Sequence, residues 1–172
     1  MKIYKFLILF LFFSNLSYAE NSIRYVDINF IVNNSEIGKK INSAIESKNK
    51  KLTTDLEKLK KDLDKKKNKI SEQKNVLEEK EYINLVREFE IEVKNFNEFK
   101  RKKSIEFNNY SVDLKKKLLT ELNPIIAEYL KKNSISILLQ KDNIIFGDKE
   151  FDITSNFLDI VNSSKIKINL KG

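Results

Sequence analysis

Leu56, Leu63, Ile70 and Leu77 stand seven residues apart, and Ile45, Leu52 and Leu59 form a second row at the same interval. At the helical 100° per residue, both rows fall within one narrow stripe, the width of a two-helix seam. This part of the chain therefore reads as a helix that must bury its stripe against another helix. Lys66 and Gln73 interrupt the stripe toward its far end. Ser35 and Glu36 stand where an N-cap and an acidic first turn belong, so the helix is expected over about residues 36 to 78, roughly 60 Å long.

A partner for that stripe follows directly. Tyr82, Val86, Phe89, Val93, Phe96, Lys100, Lys103, Phe107, Tyr110 and Leu114 alternate steps of four and three, a second seam. Between the two, "NVLEEKEYIN" loses phase, with no glycine or proline to mark the reversal, and places the tip of a hairpin near 76–84. An antiparallel helical hairpin fits better than one continuous helix of about 120 Å. Both ends of the helical stretch run into strand-like segments, which can pair only if the chain returns. The return helix also carries apolar residues outside its seam. Leu85 and Phe99 widen the face, and Ile83, Ile91, Ile105 and Val112 form a sparse row on the opposite side. Such groups either pack on something else or are offered to a partner, although isolated surface isoleucines are ordinary.

The chain ends have a different texture. "IRYVDI", with Ile23, Tyr25, Val26 and Ile28, is rich in strand formers. Pro124 within "LLTELNPIIAEYLKKN" predicts a kink or restart, with Ile125, Ile126, Tyr129 and Leu130 packing on a folded base, and Asn133 is placed as a left-handed stop. Ile135, Ile137 and Leu139 then follow a strand period, "KDN" supplies a turn, and "IIF" with Ile145 reads as the paired strand. Asp152 or Thr154 is expected to cap a last helix with Phe157, Leu158 and Val161 inward; the tail "SSKIKINLKG" reads as frayed or as an added strand. The fold class is α+β: a long antiparallel helical hairpin, residues 36–122, projecting from a small β-rich oligomerisation body formed by both chain ends, residues 20–35 and 123–172. About three short strands and two small helices make a meagre core, and open strand edges ask for partners, so several protomers are expected to share one base.

The first residues are read apart from the fold. Lys2 and Lys5 precede an unbroken apolar run from Phe6 to Phe13, and Ser17 and Ala19 are small residues at the −3 and −1 positions of a cleavage site before Glu20. This is the pattern of a secretory signal peptide over residues 1–19, too short and too early interrupted to span a membrane. Its removal takes two of the 33 basic residues and none of the 25 acidic ones, leaving 31 against 25, a net charge of +6. A basic balance suits acidic clients and a weak contact with anionic membrane surfaces. The chain has no cysteine and no histidine, which removes thiolate and imidazole metal sites, cysteine nucleophiles and histidine triads. Gly38-Lys39 lacks the upstream glycine of a phosphate-binding loop, and Glu78-Glu79 reads as a solvated pair. No enzyme and no cofactor is expected. Export, and acidic residues spaced among the lysines, argue against nucleic acid as the main partner.

The order of these parts resembles the Skp/OmpH family of periplasmic chaperones: a strand after a signal peptide, "EIGKK", a long lysine-rich hairpin, and "ISILLQKDNIIFGDKEFDIT" opening the terminal helix. The resemblance covers essentially the whole mature chain. It implies a homotrimer whose β-rich bodies join and whose arms enclose a cavity, holding unfolded outer-membrane proteins in the periplasm without ATP. Ile23, Tyr25, Val26, Ile28, Ile135, Ile137, Leu139 and Ile145 would then belong to the oligomerisation body. Leu52, Leu56, Leu59, Leu63, Ile70, Val86, Phe89, Val93, Phe96 and Phe107 would form the arm seam. Ile83, Ile91, Phe99, Ile105 and Val112 would be the candidate client contacts. The competing reading is a structural coiled-coil spacer of the cell envelope that binds no client.

Overall fold

A computed structural model describes residues 22–171; the expected signal peptide and its cleavage position at Ala19 and Glu20 lie outside these residues. The chain order is β1 (Ser22–Val26), α1 (Ile28–Asn34), α2 (Glu36–Gln73), α3 (Glu79–Lys132), β2 (Ile135–Gln140), two 3₁₀ turns (Lys141–Asn143 and Lys149–Phe151) and α4 (Thr154–Ser163). No described helix is long and apolar enough to cross a membrane.

The 38 residues of α2 and the 54 of α3 form the hairpin. Its turn occupies 74–78, where Leu77 N–H and Val76 N–H still donate to the carbonyl of Gln73 at 3.0 Å. Lys66 meets Glu92, and Lys48 lies over the ring of Tyr110, so the return helix runs antiparallel to the outgoing one. Ser35 caps α2 as its position suggests, its hydroxyl accepting from Gly38 N–H at 3.1 Å. Seven residues missed by sequence reasoning form α1, capped by Asp27, whose carboxylate accepts from Phe30 N–H at 2.7 Å. Ile28 therefore opens a helix instead of closing the strand: β1 ends at Val26.

The core sits where the chain ends meet the root of the hairpin. Val26 from β1, Ile31 from α1, Ile41 from α2, Leu114, Leu118 and Leu122 from α3, and Phe157 and Val161 from α4 are all closed to solvent. Tyr129 meets Phe157 edge-to-face, ring centroids 5.9 Å apart. This packing explains why Pro124 does not interrupt α3: no restart occurs there, and the helix runs on to Lys132. A mid-helix proline costs about 3 kcal/mol, but Leu118 and Leu122 before it and Ile125, Ile126 and Tyr129 after it all pack on the same cluster. Burying several such side chains, at about 1.5–3 kcal/mol each, outweighs that cost. The left-handed residue that ends the helix is Ser134 (φ 52°), not Asn133 (φ −102°).

The sheet has two strands, β1 and β2, and they are parallel, with Ile23 opposite Ile137, Tyr25 opposite Leu139 and Val26 opposite Gln140. Parallel neighbours need a long crossover, and here the whole hairpin is that crossover. The expected strand at "IIF" is absent. Ile144 N–H donates back to the carbonyl of Lys141 at 3.0 Å, turning the chain away from β2, and the Tyr25 hydroxyl donates to the carbonyl of Asp148 at 3.1 Å, holding the loop across the far side of β1. That side of β1 is taken instead by Asp152 and Ile153, whose N–H donates to the carbonyl of Tyr25 at 2.9 Å. The tail is neither frayed nor a strand: Ile166, Ile168 and Leu170 pack against the core as irregular chain.

Asp152 ties this junction together. Its carboxylate accepts from Lys141 at 2.8 Å and from Thr154 N–H at 2.9 Å, while the Thr154 hydroxyl accepts from Asp27 N–H at 2.9 Å. Burial pushes the Asp152 carboxyl up, but the hydrogen bonds from Lys141 and Thr154 outweigh it and hold it below its ordinary value. A depressed carboxylate contributes stability above its unfolded pKa, about 4, and that contribution is lost as pH falls through the folded value. The melting temperature of wild type should therefore exceed that of Asp152→Asn near pH 7, and the gap should close below about pH 4. A gap constant from pH 7 to pH 3 would show that the charge contributes nothing.

Candidate functional site

Two helices alone cannot enclose a seam, and the arm shows it. Leu52, Leu56, Leu63, Val86, Phe89, Val93, Phe96 and Phe107 face between the helices but are only half-buried; Leu59 is exposed, and Ile70, near the tip, is buried. Leu59, Leu63, Phe96 and Phe99 border an apolar notch of about 300 Å³ midway along the arm. Lys66, an interruption in the heptad, is satisfied across the hairpin by Glu92. Lys103, another polar seam position, turns to Glu106 at 2.6 Å, and this ammonium holds the Glu106 carboxyl below the usual range.

Outside the seam, Ile83, Ile91, Ile105 and Val112 are each about half exposed, with Phe99 exposed near the notch. On α3 the four lie within a sector of about 80° at 100° per residue. Leu119, also exposed, falls in the same sector and carries the row down to the root; sequence reasoning missed it because it follows the core residue Leu118 in the doublet "LL". One face of the arm therefore presents apolar side chains at intervals along its length, between lysines and glutamates.

The base presents a second apolar surface. Tyr25 and Val26 are buried and Ile28 and Ile135 are half-buried, so these four belong to the protomer's own interior. On β2, Leu138 packs on the core while Ile137 and Leu139 face outward beside the exposed Ile23 of β1. Ile145 and Phe146 are 106% and 92% exposed, side by side on the loop that was expected to be a strand. Phe146, together with Phe151, whose ring carries the Arg24 guanidinium at 5.2 Å, borders a hollow of about 570 Å³ against β1. Phe146, inside the segment read as a strand, and Phe151, after it, are further exposed residues that the sequence did not single out.

The model of the family described as outer membrane protein, OmpH-like, matches residues 22–160, both strands, the hairpin and most of α4. The chain belongs to the OmpH-like family. A crystal structure from Caulobacter crescentus, described as an OmpH-like outer membrane chaperone, matches with a TM-score of 0.79, covering 86% of this chain and 88% of that one. Their sequences are 13% identical, so the likeness is one of fold: the OmpH-like arm and base persist with almost entirely different side chains. No curated protein sequence matches. The OmpH-like match ends at residue 160, short of the tail that packs beside the arm.

Proposed function

We propose that this OmpH-like protein is an ATP-independent periplasmic holdase. It joins three protomers through their bases and keeps unfolded outer-membrane β-barrel proteins from aggregating between the arms. The observation that carries this reading is the row Ile83, Ile91, Ile105, Val112 and Leu119 on the outer face of a helix already paired on its other side. A spacer needs the seam and nothing more; these residues lie outside it and are about half exposed. Apolar groups separated by charged, hydrated ones suit many weak contacts with an extended client and do not draw the client into collapse. The lysine excess adds a long-range attraction for acidic clients and, more weakly, for anionic membrane surfaces, and it should fade as salt shortens the Debye length.

The mature protein should suppress aggregation of a denatured β-barrel protein on dilution, near one trimer per client. No suppression at any ratio would end the holdase reading and leave the spacer. Replacing Ile83, Ile91, Ile105 and Val112 together by Ser should raise the amount required several-fold. Far-UV helicity should hardly change, because substitutions at exposed helix positions away from packing move stability little. Undiminished suppression at unchanged helicity would return the row to ordinary surface.

A further inference from the structure

The last described residues alternate strictly. Ser164, Ile166, Ile168 and Leu170 are half-buried, and Lys165, Lys167, Asn169 and Lys171 are exposed. That is the period of a strand, yet the segment joins no sheet. Its apolar side chains pack against the cluster that includes Ile41, Leu114 and Leu118 at the root of the arm. Among the described residues, one hydrogen bond joins its main chain to the arm, from the Tyr110 hydroxyl to the carbonyl of Leu170 at 2.8 Å. Its other hydrogen bonds are local: Ser164 donates to the carbonyls of Ile160 and Val161 at the end of α4, Ile166 N–H to Ser164, and Lys171 N–H to the Asn169 side chain. The seat thus takes an extended chain by every second side chain, with no ladder to lock it. Tyr110 also walls a separate cleft of about 760 Å³ between α2 and α3, where Leu52 and Phe107 stand among charged side chains, Lys48 included. The Lys48 ammonium lies 3.9 Å from the centre of the Tyr110 ring.

We propose that this root groove is a docking site for extended segments with an apolar side chain at every second residue, and that residues 165–171 are its resident, displaceable occupant. A membrane-spanning β-strand has that alternation, apolar toward lipid and polar toward the lumen. The partner's identity rests on the holdase reading; the groove's preference rests on the tail itself. The tail lies past residue 160, where the family match ends, and it is held by side chains alone but for one bond, as a competitor must be if it is to leave. Its lysines point away from the groove and leave the apolar side chains as the recognised feature.

The test uses a fluorescein-labelled peptide with the sequence of residues 165–171 and a second peptide of the same composition with its three apolar residues contiguous. Binding is read by fluorescence anisotropy to the full mature chain and to the variant with Ile166, Ile168 and Leu170 replaced by Ser, which empties the seat without altering its walls. The alternating peptide should bind the variant at least tenfold more tightly than wild type, and more tightly than the contiguous peptide does. Tyr110→Ala in the variant background should weaken it. Equal affinity for wild type and variant, or for the two peptides, would overturn the proposal and leave the tail as a fixed strap. If the triple variant unfolds, Ile168→Ser alone decides, with a smaller gain expected and no gain overturning. Aggregation suppression by wild type, run alongside, judges the holdase reading separately: peptide discrimination without suppression would retain the groove and remove only its client.

Discussion

Gly38→Ala is expected to destabilise the protein by about 3 kcal/mol or more, lowering the melting temperature by roughly 6–12 °C. The sign is what makes the experiment informative. In an exposed helix, alanine is favoured over glycine by about 1 kcal/mol, so propensity alone forecasts a gain. Gly38, however, is buried in the first turn of α2, where an added Cβ would stand 1.9 Å from the carbonyl oxygen of Val32, 2.8 Å from its carbonyl carbon and 2.9 Å from the Ser35 hydroxyl. The first two are backbone of α1 and have no flexible end to swing aside. Relief would require α1 to move off α2, and α1 carries Ile31 and Val32 into the core. The Ser35 hydroxyl, which caps α2 through Gly38 N–H, would be displaced in the same movement. Thermal and urea melts followed by circular dichroism measure the loss. An alanine variant as stable as wild type would mean that the α1–α2 elbow is looser in solution than this contact.

The elbow also marks where the sequence stops being legible. The hairpin could be read because a heptad repeats one decision many times: seven residues at a fixed interval specify a stripe, and one intruder such as Lys66 does not erase it. The cap at Ser35 was readable because capping is local chemistry. By contrast, "INFIVNN" is composed of residues that favour strands or turns; the Asp27 cap is local, but the helix holds because Ile31 and Val32 are buried against α2 and α4, facts about distant segments. Gly38 could not be explained from sequence for the same reason, since its neighbour in space was not known to be a helix. The helix's continuation through Pro124 was not readable, because the tertiary packing on either side of it outweighs the local cost. The arm's outer row was readable from the same periodicity as its seam, whereas Leu119 required knowing which of two adjacent leucines the core claims.

The misread strand leads to the larger effect. Ile145→Asp together with Phe146→Asp should convert the proposed trimer into monomers at micromolar concentration. Two adjacent apolar side chains that are 106% and 92% exposed make almost no contact within the protomer, so replacing them removes almost nothing from its own stability. Whatever the double variant loses is lost between chains. Covering one such side chain contributes about 1.5–3 kcal/mol, so two per protomer contribute roughly 9–18 kcal/mol to a trimer that buries all six. Carboxylates in their place would also have to be desolvated, or the interface would stay open. A segment that looks like a strand, yet finds no edge in its own chain, fits an edge supplied by another. The exposed Ile23, Ile137, Leu139 and Phe151 beside it widen the same patch. Sedimentation should therefore show the wild type as a trimer and the double variant as a folded monomer with its helicity intact. Its aggregation suppression should fall with the mass, because one arm encloses nothing. A double variant that sediments as the wild type does would place the contact between protomers elsewhere, and a monomeric wild type would remove the shared base on which the enclosure between arms depends.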